Sequence, residues 1–183
     1  MENIFARLRE RLLEGMVFHD EMAKYFDFLN LRGFMKCHEY HYAEETKGYR
    51  ELSRYYMGHH HKLIPVLPMQ KPDVIPSNWY NATQDQVDIS TRQSGIKSAF
   101  EKWVKWERET KAIYQDAYLS LIEIGEPAAA EFVLQMVRDV EEELKHAESK
   151  HITLESVGYD LISIITRQDN LYEKYKCKIK GII

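Results

Sequence analysis

Ile64-Pro65-Val66-Leu67-Pro68-Met69-Gln70-Lys71-Pro72-Asp73-Val74-Ile75-Pro76 is the stretch that decides the fold. Each of its four prolines lacks a backbone N–H and clashes with the preceding turn, so no helix survives their spacing. Asn78, Asn81 and Thr83 extend the break. The reading is a connection over 64–91, with one short helix near 84–87. A connection so long is uncommon within a compact domain. It makes sense if it runs the length of a helical bundle and starts the next helix at the far end.

The flanks carry helical periodicity. Before the break, Phe5, Leu8, Leu12, Gly15, His19, Met22, Phe26 and Leu29 recur at three- and four-residue steps, giving a helix over about 3–29. Asn30-Leu31-Arg32-Gly33 reads as a short stop. A second helix over about 34–62 carries His38, His41, Glu45, Tyr49, Leu52 and Tyr56 on one stripe. After the break, Phe100, Trp103, Glu107, Thr110, Tyr114, Ala117, Leu121 and Ile124 mark a third helix over about 94–124. Gly125 closes it and Pro127 opens a fourth over about 127–157, with Phe132, Met136, Val140, Glu143 and Ala147 inward. A shorter amphipathic segment, about 161–176, follows Gly158. Two tight helix pairs separated by a crossover make an all-α, up-down-down-up four-helix bundle with a fifth C-terminal helix, one domain over 1–183.

Composition bounds the function. The chain has 183 residues, 44% hydrophobic and 30% charged, which suits one globular domain with a real core. The formal net charge of −4 argues against general nucleic-acid binding. No apolar run reaches the roughly 18 residues of a membrane span. Met1-Glu2-Asn3-Ile4-Phe5 lacks the apolar core of a secretory leader. Cys37 and Cys177 are far apart and form no C-x-x-C pair. The expectation is a cytoplasmic protein with free thiols.

The chemistry lies on the stripes. Glu143-Leu144-Lys145-His146 places a carboxylate and an imidazole on one helix face, one turn apart. Glu107 lies mid-stripe between Trp103 and Tyr114, Glu45 lies before Tyr49, and Glu14 neighbours Gly15. Taken singly, each Glu also fits a solvated face. Taken together in a bundle, carboxylates facing one core repel one another unless protonated or bound to a cation. Oxygen and imidazole donors suit iron, manganese or zinc. His38 and His41 fit core packing, and His59-His60-His61 fits a solvated helix end. Tyr55, Tyr56, Trp79, Tyr80, Trp103 and Trp106 suggest an assembly surface.

On these residues the chain resembles the ferritin-like superfamily of ferritins, bacterioferritins and Dps proteins over about 4–157. Trp106-Glu107-Arg108-Glu109 resembles the third-helix metal glutamate and its surroundings, and Gly125-Glu126-Pro127 falls where ferritins turn into the fourth helix. Glu143-x-x-His146 resembles the fourth-helix ligand pair, a place that spacing from Glu107 equally gives to Glu141. Ala43-Glu44-Glu45-Thr46 resembles the second-helix glutamate, and Glu14 the first-helix one. The family's second-helix His is replaced by Gly48. The resemblance implies metal ligands Glu14, Glu45, Glu107, Glu143 and His146, and one or two irons oxidised by dioxygen or peroxide. It also implies a ferroxidase-type oxidoreductase and a homo-oligomer. Tyr49 and Tyr114 are placed to supply an electron. The rival expectation is a metal-free bundle acting as an oligomeric structural or interaction module.

Overall fold

A computed structural model describes residues 1–76 and 79–182; Asn78 of the crossover lies outside the described residues. Five α-helices follow in order: α1 Glu2–Phe28, α2 Arg32–His60, α3 Ile89–Glu123, α4 Pro127–Glu155 and α5 Leu161–Ile179. No strand occurs among the described residues. α1 packs along α2, α3 along α4, α5 against α2, and α1 meets α3 across the bundle.

The turns have local causes. Between α1 and α2 the chain reverses at Asn30, whose φ is +59°. Asn tolerates this left-handed conformation because its short polar side chain bonds locally. Gly33, read from sequence as part of the stop, lies inside the first turn of α2. It serves a close approach: a Cβ there would collide with the backbone carbonyl of Gln168 on α5. The Gln168 side chain accepts from Gly33 N–H at 3.0 Å and donates to the Asn30 carbonyl at 3.3 Å. Gly33→Ala is therefore expected to pry α5 off α2. Amide hydrogen exchange along 161–179 should accelerate while α3 and α4 stay protected; unchanged protection of α5 would refute the contact's importance. Gly125 closes α3 at φ +78° and Pro127 opens α4.

α3 begins five residues earlier than the periodicity indicated. Asp88 caps it, accepting from Thr91 N–H at 2.8 Å. That satisfies a donor that a stripe-based reading does not see. The short helix expected near 84–87 is a 3₁₀ turn, Gln84–Gln86, held by a reciprocal Thr83/Gln86 capping box. The crossover is fastened to the bundle by Val74, Trp79 and Val87, all buried. Lys102 Nζ also donates to the Val74 carbonyl at 3.0 Å.

Two apolar cores fill the bundle. One gathers Phe18 to Phe34, Ile96 to Trp106, Leu154 and the α5 residues Ile164, Leu171 and Tyr175. The other gathers Phe5 to Leu12, Leu52, Tyr56, Tyr114 to Leu121 and Ala129 to Val140. Most of the aromatic residues expected to form an assembly surface are inside these cores: Tyr56, Trp79, Trp103 and Trp106 are buried, and Tyr80 is exposed. Burying their large apolar area within the chain is the stronger drive. Between the two cores lies a polar layer.

Candidate metal centre

The polar layer is built from one or two turns of each bundle helix. α1 contributes Gly15 and His19, α2 contributes Cys37 to Glu45, α3 contributes Glu107, and α4 contributes Glu143 and His146. Glu107 is fully buried. Its Oε1 accepts from Trp103 Nε1 at 2.8 Å and stands 3.7 Å from His19 Nε2, while its Oε2 has no partner. His19 and His38 are also fully buried, with their Nδ1 atoms 3.0 Å apart. One ring must donate and the other accept. The donor's own Nε2 then carries a free lone pair, and neither Nε2 has a hydrogen-bond partner. His41 stacks beside His19 at 5.1 Å between ring centroids, and both its ring nitrogens are also unpartnered. Its Nδ1 stands 3.6 Å from Glu143 Oε1.

Buried polar atoms are almost always paired, so a concentration of orphans needs a cause. The electrostatics point the same way. Burial first, then the charge of Glu143, raises the Glu107 carboxyl to about 8. Burial, then Glu143 and Glu107, pushes Glu45 well above the usual carboxylate range. Burial and the neighbouring imidazoles hold His19 and His38 well below theirs, so both are neutral ligand-type nitrogens. His146 is lowered to about 3, by burial first and then by His41 and the lysines of α4 and α5. Burial alone would lower His41 as well, yet Cys37 and Glu143 outweigh it and raise this ring. Two carboxyls, Glu45 and Glu107, raised by burial and by the charge of Glu143, stand beside unpaired neutral imidazoles and form a donor set that a divalent cation would satisfy.

The sequence-derived ligands divide. Glu45, Glu107, Glu143 and His146 belong to this layer. Gly15 makes room for the first of these, since a Cβ there would stand 2.5 Å from Glu45 Oε1. Glu14 is buried but faces elsewhere. It pairs with Arg11 at 3.5 Å and Arg7 at 3.6 Å, and accepts from Gln70 N–H of the crossover at 3.3 Å. One residue along a helix is a rotation of about 100°, which turns Glu14 away from the face Gly15 occupies. Arg11 is held there by stacking 3.3 Å over the Trp106 ring. Tyr114 is buried and lines a cleft with Glu45 and Glu143. Tyr49 is half-buried against the second apolar core, and its hydroxyl accepts from Arg9 Nη2 at 3.3 Å. The layer also holds His19, His38, His41 and Cys37. The H-x-x-H spacing of His38 and His41, with His19 on the facing stripe, was the available signal.

The layer is reached from outside. A cleft of about 240 Å³, lined by His41, Glu143, His146 and Tyr175, opens between α2, α4 and α5. Glu44, Asp139 and Glu142 stand at its walls with Lys174 and Lys178.

Solved ferritins share this architecture. A humanized archaeal ferritin is 17% identical over 94% of each chain, with a TM-score of 0.78. An open-pore ferritin from the hyperthermophilic archaeon Archaeoglobus fulgidus is 17% identical, covering 94% of this chain and 95% of that one, with a TM-score of 0.77. A closed form of the Archaeoglobus fulgidus ferritin, engineered by site-directed mutagenesis, gives 17%, 94% of each chain and 0.76. No family model matches the sequence, and no curated protein matches it. The chain thus has a ferritin-like fold. Among the described residues, no helix is long and apolar enough to cross a membrane.

Proposed function

We propose that the protein binds iron in the polar layer of its bundle and oxidises Fe(II) to Fe(III) there. The observation that carries this reading is Glu107, fully buried with one carboxylate oxygen unpartnered, facing a second set of carboxylates and neutral imidazoles. The ferritin-like fold and the similar ferritin structures support iron as the metal; manganese and zinc suit the same donors.

Glu45, Glu107 and Glu143 would hold the substrate iron, with His19 and His41 as nitrogen donors at the same level. Anionic oxygen donors stabilise Fe(III) over Fe(II) and so favour oxidation. With dioxygen as oxidant, two Fe(II) give up one electron each, and O₂ with two protons becomes hydrogen peroxide. Tyr114, beside Glu45 and Glu143, is the better placed of the two tyrosines to relay an electron from iron to the oxidant and be restored in doing so, because Tyr49 lies beside Arg9. The acidic walls of the cleft attract an incoming cation. Glu14 serves this reading indirectly, by neutralising Arg11 and Arg7. Self-association into an oligomer belongs to the same proposal and is measured by light scattering.

The test is metal stoichiometry after anaerobic Fe(II) loading and desalting. One to two irons per chain are expected, falling to near zero in Glu107→Ala and unchanged when His59, His60 and His61 are replaced. Oxygen uptake by the loaded protein then measures oxidation. Near-zero iron in the unaltered protein would overturn the proposal in favour of a metal-free helical module. Loading lost only with the triple-histidine variant would place the metal at the exposed end of α2.

A further inference from the structure

We propose that Cys37, His41 and His146 form a second metal site, a thiolate–imidazole site for a soft divalent ion such as Zn(II), at the α5 side of the polar layer. Cys37 and His41 lie one turn apart on α2, on one face, and His146 meets them from α4. One ligand atom from each of the three lies within 4.8 Å of the other two. Around a tetrahedral ion, with metal–nitrogen bonds of about 2.0–2.1 Å and a metal–sulfur bond of about 2.3 Å, donors stand roughly 3.3–3.6 Å apart. Small side-chain rotations close the remaining gap.

Two observations beyond proximity point to a ligand. His41 is 3% exposed and has no hydrogen-bond partner at either ring nitrogen, although Cys37 and His146 flank it. Tyr175 of α5 stands 3.0 Å from His146 Nε2 through its hydroxyl. His146 Nδ1 lies 3.5 Å from the same hydroxyl; in the tautomer whose closer Nε2–H donates to that oxygen, Nδ1 keeps the lone pair a metal needs, as outer-shell partners of metal-bound histidines arrange. Cys37 is a free, buried thiol. A thiolate and two neutral imidazoles carry one negative charge against the ion's two positive ones, and Glu143, 3.6 Å from His41, supplies the second negative charge. That balance suits a buried site. Sulfur separates this site from the carboxylate layer, because thiolate favours softer ions over the hard Fe(III) that Glu45 and Glu107 favour. The two share His41, so occupation of one restrains the ring that the other uses.

The test uses Co(II) alone as the probe, in chelator-treated protein carrying Cys177→Ser so that the exposed thiol cannot contribute. The expected result is a near-ultraviolet thiolate-to-cobalt charge-transfer band that saturates at one thiolate-bound Co(II) per chain, with intense tetrahedral visible bands, bleached by added Zn(II). Cys37→Ser removes the charge-transfer band while circular dichroism shows an intact helical fold. His146→Ala, at a half-buried position, weakens Co(II) binding at least tenfold. Glu107→Ala abolishes iron loading but keeps the cobalt–thiolate band, which separates the two sites. Absence of the band in the Cys177→Ser protein, or its persistence after Cys37→Ser, overturns the proposal. Loss of the band in Glu107→Ala merges the thiol into the carboxylate centre and overturns a separate site.

Discussion

Titration of Glu107 alone costs the metal-free protein about 2 kcal/mol of stability between pH 6.5 and pH 8, and Glu107→Gln removes that share of the loss. The Glu107 carboxyl is raised from 4.5 to about 8 in the folded chain. Across this window the folded state therefore holds a proton that the unfolded state has released. Stability falls with rising pH wherever the folded state binds more protons. A shift of one pH unit is worth about 1.4 kcal/mol, which gives the figure for the 1.5-unit window. Glu45 is raised too and acts in the same direction. So does His41, whose raised value adds stability that is complete at low pH and disappears as pH climbs. His19, His38 and His146 are lowered, so they act in the opposite direction, and only weakly, at the lower edge of this window, where the unfolded imidazoles begin to bind protons. Urea midpoints of chelator-treated protein at the two pH values measure the effect. Gln keeps the size and the Trp103 bond without the charge, so the variant is also expected to be the more stable one at pH 8. Equal pH slopes in the two proteins would refute the assignment of the buried charge to Glu107. Loading with a divalent ion should flatten the unaltered protein's profile, because the carboxylates then stay ionised in the folded state.

The second large effect is at Trp103. Its indole is fully buried, with ring centroids 4.6 Å from His38, 5.5 Å from His41 and 5.8 Å from His146. It is also the only donor to Glu107 among the described residues. Trp103→Ala is expected to destabilise the fold by about 3–5 kcal/mol, the range for emptying a buried aromatic site. Trp103→Phe separates packing from bonding. It keeps most of the ring volume but leaves Glu107 without a donor; the lost hydrogen bond is worth about 0.5–1.5 kcal/mol while the carboxyl is protonated and about 1.5–3 kcal/mol once it is ionised. Since that bond lowers the Glu107 value, the Phe variant should need a higher pH than the unaltered protein before Glu107 ionises. Thermal melts of both variants at pH 6.5 and pH 8 decide the matter. A Phe variant as stable as the parent at both would show that the indole N–H does nothing for the carboxylate.

Much of this arrangement was legible in sequence because the bundle obeys a simple period. The prolines of 65–76 placed the crossover, and the apolar stripes placed four helices to within two residues at each end, except for the start of α3, which lies five residues earlier. Glu107 stood out because it interrupts an apolar stripe between Trp103 and Tyr114, and burial there is nearly forced. Glu14 shows the limit of the method. Its neighbour Gly15 does face the layer, but a single residue step turns the side chain toward Arg7 and Arg11, and a charge pattern one turn wide has no register of its own. The histidines were visible as stripe residues, yet His19, His38 and His41 converge only when α1 and α2 are set antiparallel at a fixed register. That register comes from the Asn30 turn and the helix packing, which periodicity does not encode. Cys37 was hidden for a similar reason: its proximity to His146 depends on which faces of α2 and α4 meet.

The crossover that separates the two helix pairs also divides the polar layer between them. His19, Cys37, His41 and Glu45 sit on the first hairpin, Glu107, Glu143 and His146 on the second. Each hairpin is joined by a tight turn and forms through local contacts, which are fast. The charged layer comes into being only when the two halves close over it, and closing them across the intervening chain is the slow, entropically opposed event. Repulsion of Glu45 by the carboxylates of the second hairpin therefore falls on the docking step, while that between Glu107 and Glu143 is met within the second hairpin. A cation bound in the layer, as proposed above, would act as a rivet between preformed halves, speeding their closure and slowing their separation.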